Sequence, residues 1–285
     1  MESVKRLVVK LGLKQVILDS GLYRYYIRSA GNPFYLLHAL RWNFARLLTS
    51  RKQVSINGVK LSLPVRNWVT HFRWFLIKKK EPEVRDWVDE KLSDSDILYD
   101  IGGNMGLISM YAAKKYPGIK ILAFEPEYSN LALTKENLKF NNVRDRVETY
   151  SIALGEHDGI SHLHIQDDEE GAAAHTESTE SISVTDEGYK VVWREGIACY
   201  TLDKFVEMSG VQPTAMKIDT DGNELKILKG GMKTIAAKQL RTIIIETPIE
   251  NDQKTSEFEQ ILTEQGFVKE EKRGLVNVVW SRESV

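Results

Sequence analysis

The sequence predicts an α/β fold, a mostly parallel sheet covered by helices on both faces and preceded by a helical and hairpin extension. Three observations predict it. From residue 96 onward, strand-like apolar runs alternate with amphipathic helical runs, the rhythm of βα units. Glycines and acids crowd the ends of those strands, as in "DIGGNMG" at residues 100–106. Before residue 95 the chain is basic, helical and then hairpin-like. The expected units are therefore a basic extension over 1–95 and the sheet domain over 96–285.

Each element has its own signal. "NPFYLLHALRWNFARLL" sets Phe34, Leu37, Leu40, Phe44 and Leu47 at helical steps, with Arg41 and Arg46 pointing away from much of that stripe. "QVSINGVKLSLP" reads as two strands turning at Asn57-Gly58. Pro82 opens a short helix, "EPEVRDWVDEKL". "DILYDIG" is strand and turn, and "MGLISMYAAKKY" is helix. "KILAFEP" is the next strand, followed by a helix in which Ser129 is a candidate cap. "RVETYSIAL" and "GISHLHIQ" are two further strands. Residues 167–188 are polar and read as a long loop or insertion, which in a compact domain marks function or disorder. "TLDKFVEM" is helix, "TAMKIDTDG" strand and turn, "NELKILKGGMKTIAA" one helix and "RTIIIETP" a buried strand. "TSEFEQILTEQGF" is the last helix, before two closing strands expected to add an antiparallel hairpin at one edge of the sheet.

Composition narrows the class. A chain of 285 residues, 42% apolar and 28% charged, can bury a sizeable core. Its one cysteine, Cys199, excludes a disulfide framework and a multi-cysteine zinc site. No secretory leader and no bilayer-length apolar run is visible, so a cytoplasmic location is expected.

The strand-end motif decides the ligand. A dinucleotide fingerprint needs G-x-G-x-x-G, and Asn104 stands where its second glycine would be. A phosphate loop needs Lys-Ser/Thr after its last glycine, and Leu107-Ile108 stand there instead. Asp100, two residues before Gly102, would repel a pyrophosphate and hold a cation. Glu125 ends the next strand, where a carboxylate can accept two hydrogen bonds from a ribose diol. S-adenosylmethionine carries an ammonium, a sulfonium and a ribose, and no phosphate.

The ordered set "DIGGNMGLIS", "FEPEYSNLALTKENL", "SIALGEHDG", "TLDKFV" and "MKIDTDGNELKILKGG" resembles the FkbM family of S-adenosylmethionine-dependent methyltransferases over roughly residues 80–280. The resemblance implies the seven-stranded, Rossmann-like methyltransferase sheet and methylation of a hydroxyl oxygen on a saccharide, glycoconjugate or glycosylated natural product. It implies that Asp100, Gly102, Asn104 and Gly106 form the cofactor loop and Glu125 the ribose acid. Ser151 and Ile152 would flank the adenine, and Glu81 would touch the amino-acid end. Asp219 would sit beside the methyl donor. The sequence departs from the family at Gly103, usually alanine, and in "IDTDGNE", usually "IDVEGAE".

The reaction itself names candidates. The enzyme must align the acceptor oxygen with the methyl carbon and sulfur, and must take a proton from an alcohol. Asp219, Lys217 and His175 are the candidate catalytic residues, His175 by way of the polar loop. Asp219, Asp221 and Glu224 offer oxygens suited to Mg²⁺ or Ca²⁺. A divalent cation is compatible with this set and not required by it, and no metal ligand is assigned. Trp68, Trp74 and Trp193 are candidate sugar platforms as well as candidate packing residues.

Charge suggests partners. Residues 1–80 hold sixteen Lys/Arg against two acids, a surplus of +14, while the rest of the chain stands at −15. Peripheral contact with an anionic membrane through residues 1–80 is the expectation, and pairing of the two parts within a homodimer also explains the split. The alternative function is an RNA-directed methyltransferase or nucleic-acid-binding module using the same segment. It lacks the aromatic and glycine signature of a known RNA module, so nucleic acid is not the expected partner.

Overall fold

Asn57 and Gly58 adopt φ of 47° and 82°, the pair of positive values that a two-residue hairpin turn needs. They join Ser50–Ile56 (β1) to Val59–Val65 (β2), as the sequence predicts. The computed structural model describes residues 50–173, 175–180, 190–247, 252–270 and 277–282. The amphipathic stretch with Phe34 and Leu37, and residues 181–188 of the polar insertion, lie outside them. The chain divides into two compact units, residues 1–52 with 64–66, and residues 53–63 with 67–285. The fold and the site below belong to the second.

Helix Trp68–Leu76 (α1) is not among the expected elements. A capping box starts it: Asn67 Oδ1 accepts from the Thr70 amide at 2.7 Å, and Thr70 Oγ1 accepts from the Asn67 amide at 3.2 Å. Helix Pro82–Lys91 (α2) begins at Pro82 as expected. Then come Ile97–Ile101 (β3), Leu107–Lys115 (α3), Lys120–Phe124 (β4), Tyr128–Phe140 (α4) and Val147–Tyr150 (β5). The cap of α4 is Glu127 and not Ser129. Its carboxylate accepts from the Ser129 and Asn130 amides at 2.8 and 2.6 Å.

"RVETYSIAL" is not one strand. It breaks at Ser151-Ile152, and Ala153–Gly155 (β6) enters a second sheet with Gly159–Ile165 (β7), Thr176–Ser178 (β8) and Trp193–Thr201 (β9), in the order β6-β9-β7-β8. β8 lies inside the stretch expected to be loop. Leu202–Ser209 (α5) and Ala215–Ile218 (β10) follow. The next expected helix is two, Glu224–Lys229 (α6) and Met232–Ala236 (α7). Close packing accounts for the break: a Cβ on Gly230 would overlap the Gly155 carbonyl oxygen, and one on Gly231 would lie 2.7 Å from Leu202 Cδ2. Thr242–Glu246 (β11), Asp252–Glu264 (α8), Val268–Lys269 (β12) and Asn277–Ser281 (β13) complete the chain.

The central sheet has seven strands in the order β12-β13-β11-β10-β3-β4-β5. Pairings from β11 through β5 are parallel, and those of β13 with β11 and β12 are antiparallel. The sheet is therefore mixed and not mostly parallel. The chain between Lys269 and Asn277 is too short for the crossover that a parallel partner would require. Alternate strand residues feed two cores. Leu98, Ile121 and Ile244 pack with Trp87, Met110 and Leu133 of α2, α3 and α4. Tyr99, Leu122 and Ile243 pack with Phe205, Ile227 and Phe258 of α5, α6 and α8. From β3 the chain runs outward through β4 and β5, whereas β10 and β11 extend the sheet the other way. The strand order therefore reverses between β3 and β10, and a crevice opens beyond their carboxyl ends.

Candidate active site

At that reversal lies a cavity of about 200 Å³. Its lining includes Glu81, Asp100, Gly102, Asn104, Glu125, Ile152, His175, Lys217 and Asp219. Residues more than a hundred positions apart thus meet in one crevice.

The turn after β3 is shaped by three glycines of unequal demand. Gly102 has φ +73°, and a Cβ there would overlap the Asp219 carbonyl oxygen, so the turn rests directly on the end of β10. Gly106 also has φ +73°, with Thr134 Cγ2 at 2.8 Å from a built Cβ. At Gly103 a Cβ would meet only ordinary contacts near 3.8 Å, so the alanine usual in the family would fit. Asn104 is left-handed at φ 46°. Its amide donates to Glu125 Oε2 at 2.7 Å, and its Nδ2 donates to the Ala172 carbonyl at 2.5 Å. The other Glu125 oxygen accepts from the Glu127 amide at 2.9 Å. Burial pushes the Glu125 carboxyl up to about 7, against the pull of those two amides.

Asp100 is fully buried. Its Oδ2 accepts from the Ser109 hydroxyl at 2.6 Å and the Ser109 amide at 3.1 Å. Its Oδ1 has no hydrogen bond and lies 3.6 Å from Lys217 Nζ. Lys217 reaches across from β10, donating to the Gly102 carbonyl at 2.8 Å and standing 3.2 Å from Asp219 Oδ2. Burial alone would lower the Lys217 ammonium; Asp219 and Asp100 outweigh it and hold it above its ordinary value. Asp219 is half-buried; that burial raises its carboxyl, yet Lys217 and a hydrogen bond with Glu246 hold it below the usual range. Glu246, the last residue of β11, goes the other way, raised by burial and by the negative Asp219. Of the two neighbouring carboxyls, Asp219 is the one whose surroundings favour the negative charge and Glu246 the one whose surroundings favour the proton.

The far wall comes from α1, α2 and the polar loop. Arg73 of α1 lines the cavity and donates from Nε to the Gly171 carbonyl. Asn67 Nδ2 donates to the Glu170 carbonyl at 3.0 Å. Asn130 holds the same loop from α4, accepting from the Gly171 amide at 2.9 Å and donating to the Ala172 carbonyl at 3.1 Å. These bonds fix residues 170–172 against the cofactor loop and set His175 in the wall. Burial lowers the His175 imidazole, and its Nδ1 is buried with no hydrogen-bond partner. Glu81 is left-handed at φ 48° and pairs with Lys80 at 3.0 Å; its side chain does not cap α2.

Other sequence candidates stand elsewhere. Ser151 is exposed and is not part of the lining, whereas its neighbour Ile152 is. Glu224 turns back on its own loop, its Oε1 accepting from the Thr220 amide at 2.7 Å and the Gly222 amide at 3.2 Å. Asp221 lines the cavity at φ 53°. Trp68 and Trp193 are exposed outside the cavity, and Trp74 packs against the core. Sequence reasoning missed Arg73, Arg85 and Glu246. Glu246 had a legible signal, being an acid at the end of a buried apolar strand next to the Asp219 strand. Arg73 had none, because nothing local ties α1 to the crevice.

A family model described as the methyltransferase FkbM domain matches residues 100–269. Methyltransferase 1 of Beauveria bassiana is 25% identical over 147 residues, covering 48% of this chain and 59% of that protein. The 31-O-demethyl-FK506 methyltransferase FkbM of Streptomyces tacrolimicus is 29% identical over 63 residues, 22% of this chain and 24% of that protein. The chain thus spans less than two thirds of either relative. A crystal structure of methyltransferase FkbM from Methylobacillus flagellatus KT superposes with a TM-score of 0.47 at 14% identity, covering 76% of this chain and 55% of that one.

Proposed function

This chain belongs to the methyltransferase FkbM domain family, and from that membership we propose that it is an S-adenosylmethionine-dependent O-methyltransferase acting on a hydroxyl of a saccharide or glycoconjugate. The observation that carries the reading is the meeting of the Gly102–Gly106 turn and Glu125 at the strand reversal, with Asp219 beneath. The residues present fit the cofactor. Asp100 Oδ1 is a buried acceptor without a hydrogen bond in the cavity lining, suited to an ammonium donor. Gly102 lets the turn rest directly on the Asp219 backbone, an approach that any side chain would prevent. Each Glu125 oxygen keeps a lone pair for a ribose hydroxyl beside its amide bond. Ile152 offers an apolar face to the adenine. When bound, the cofactor supplies an electrophilic methyl carbon.

The chain's own groups do the rest. Lys217 stays charged, balances Asp100 and Asp219, and holds the Gly102 carbonyl in place. Asp219 stays ionised and orients the acceptor hydroxyl. His175 is neutral at pH 7, and its free Nδ1 takes the hydroxyl proton. The polar wall of Glu81, Arg73 and Asp221 suits a hydroxyl-rich acceptor, and the Streptomyces relative is by its name an O-methyltransferase. We further propose that an anionic membrane surface is the basic segment's partner, the exposed Trp68, Phe72 and Phe75 of α1 adding apolar contact.

Calorimetric titration tests the cofactor, and labelled-methyl transfer to a saccharide panel tests the acceptor. S-adenosylmethionine and its demethylated product should bind and NAD should not. His175→Gln and Asp219→Asn should each keep cofactor affinity while lowering kcat by roughly 10²–10⁴-fold. NAD binding in place of S-adenosylmethionine would sink the reading, and near wild-type turnover in either variant would remove that residue's role.

A further inference from the structure

We propose that His157, Glu177 and Cys199 form a binding site for one divalent transition-metal ion of the zinc class, within the four-stranded sheet. The topology brings them together. Cys199 lies on β9 beside Ala153 of β6 and Gly159 of β7, Glu177 lies on β8 opposite Leu163 of β7, and His157 sits in the β6–β7 turn. One ligand atom from each lies within 4.8 Å of the other two, and His157 Nε2 is 3.8 Å from Glu177 Oε1. Tetrahedral zinc, with bonds of roughly 2.0–2.3 Å, needs ligand atoms somewhat closer than this, so the side chains must close by about an ångström.

Two buried atoms of the cluster lack hydrogen bonds, Glu177 Oε2 and His157 Nε2. Glu177 is almost wholly buried, a costly place for a half-satisfied carboxylate. Gly155 faces the cluster, and a Cβ there would stand 3.1 Å from the Cys199 sulfur and 3.6 Å from Glu177 Oε2, so a bare backbone leaves the space free. Ser161 Oγ donates to Glu177 Oε1 and fixes the carboxylate's orientation, the usual outer-shell contact of a metal ligand. Lys226 Nζ approaches Glu177 Oε2 only to 3.9 Å from a partly exposed position, and a bound cation would displace it toward solvent.

The donor set is one sulfur, one nitrogen and one oxygen. That set favours zinc-like ions over Mg²⁺ or Ca²⁺. Burial keeps the Cys199 thiol protonated, its pKa pushed up to about 12. Metal binding would form the metal–sulfur bond and release that proton to solvent. Glu177 also lines the cofactor cavity, so the ion would tie the β6–β7 turn, β8 and β9 into one rigid wall beside it.

Cobalt(II) titration of untagged, chelator-treated protein, followed by absorption, provides the test. Cys199 is the chain's one cysteine, so any thiolate-to-cobalt charge-transfer band reports on it alone. One equivalent of cobalt should raise that band, and zinc should abolish it. Cys199→Ser should lose the band. His157→Ala, at a partly exposed position, should keep the circular dichroism spectrum and bind at least about tenfold more weakly. The proposal is overturned by the absence of a charge-transfer band in the wild type, or by unchanged cobalt affinity in a folded His157→Ala protein. Either result would leave a Glu177–Lys226 ion pair beside His157.

Discussion

Gly102 and Gly103 are adjacent and chemically identical, yet their surroundings differ. Gly102 is left-handed and rests on the Asp219 backbone, while Gly103 has room for a methyl group. Gly102→Ala should therefore cost about 1–2 kcal/mol in backbone conformation and about 1–3 kcal/mol more in overpacking. Gly103→Ala should stay within about 0.5 kcal/mol of wild type. Denaturant unfolding of the two variants checks the contrast. Glu125 yields a second prediction. Its folded pKa, about 7, lies above the ordinary 4.5. Between those values the native state holds a proton that the unfolded state has lost, so this group's contribution to stability falls as pH rises through that window. Cofactor binding has the opposite sign, because a ribose diol needs the ionised acceptor. Affinity should be full above pH 7 and fall by up to about tenfold per unit below it. Glu125→Ala should flatten that profile in calorimetry; an equally steep profile in the variant would assign the proton to another group.

Among the elements, the polar loop carries the most consequence. Asn130 is buried in α4 and bonds both the Gly171 amide and the Ala172 carbonyl. Asn130→Ala should cost about 2 kcal/mol, two net hydrogen bonds. It should also speed amide exchange over 170–173 while leaving β3 and β10 protected. Unchanged exchange in the loop would show that Asn104 and Arg73 hold it without Asn130. The βα units, their turn glycines and the acids Asp100, Glu125 and Asp219 could be read from sequence because their signals are local: apolar runs, turn chemistry and strand-end acids. β8, β9 and the division of "RVETYSIAL" could not. β6 and β8 are three residues each, β9 carries the charged residues Arg194 and Glu195 next to its start, and all are defined by their partners rather than by a local pattern. The break of one predicted helix into α6 and α7 escaped for the same reason, since Gly230 is required by the backbone of Gly155, a residue on another element.

At the level of the whole molecule, charge is the unevenly distributed quantity. The +14 segment ends at Lys78, Lys79 and Lys80, just after a helix that exposes Trp68 and Phe75 by 72% and 68%. No helix among the described residues is long and apolar enough to cross a membrane. Each lysine or arginine near an anionic surface contributes about 1 kcal/mol, and aromatic burial adds to it. The protein should co-sediment with vesicles containing anionic lipid, release as salt rises, and bind less well as Trp68→Ala or Phe75→Ala. Equal recovery on neutral and anionic vesicles would favour pairing of the basic and acidic parts within a homodimer.

The contact of Lys217 with the Gly102 carbonyl joins positions 115 residues apart. During translation, the glycine turn leaves the ribosome on the order of ten seconds before the strand that supports it. Until β10 is made and inserted beside β3, Asp100 has no counter-cation and the turn has no floor. A growing chain therefore cannot capture cofactor in any stable way, however complete its sequence motif. Under the proposed function, cofactor binding would therefore stabilise only chains in which β10 has already been inserted beside β3.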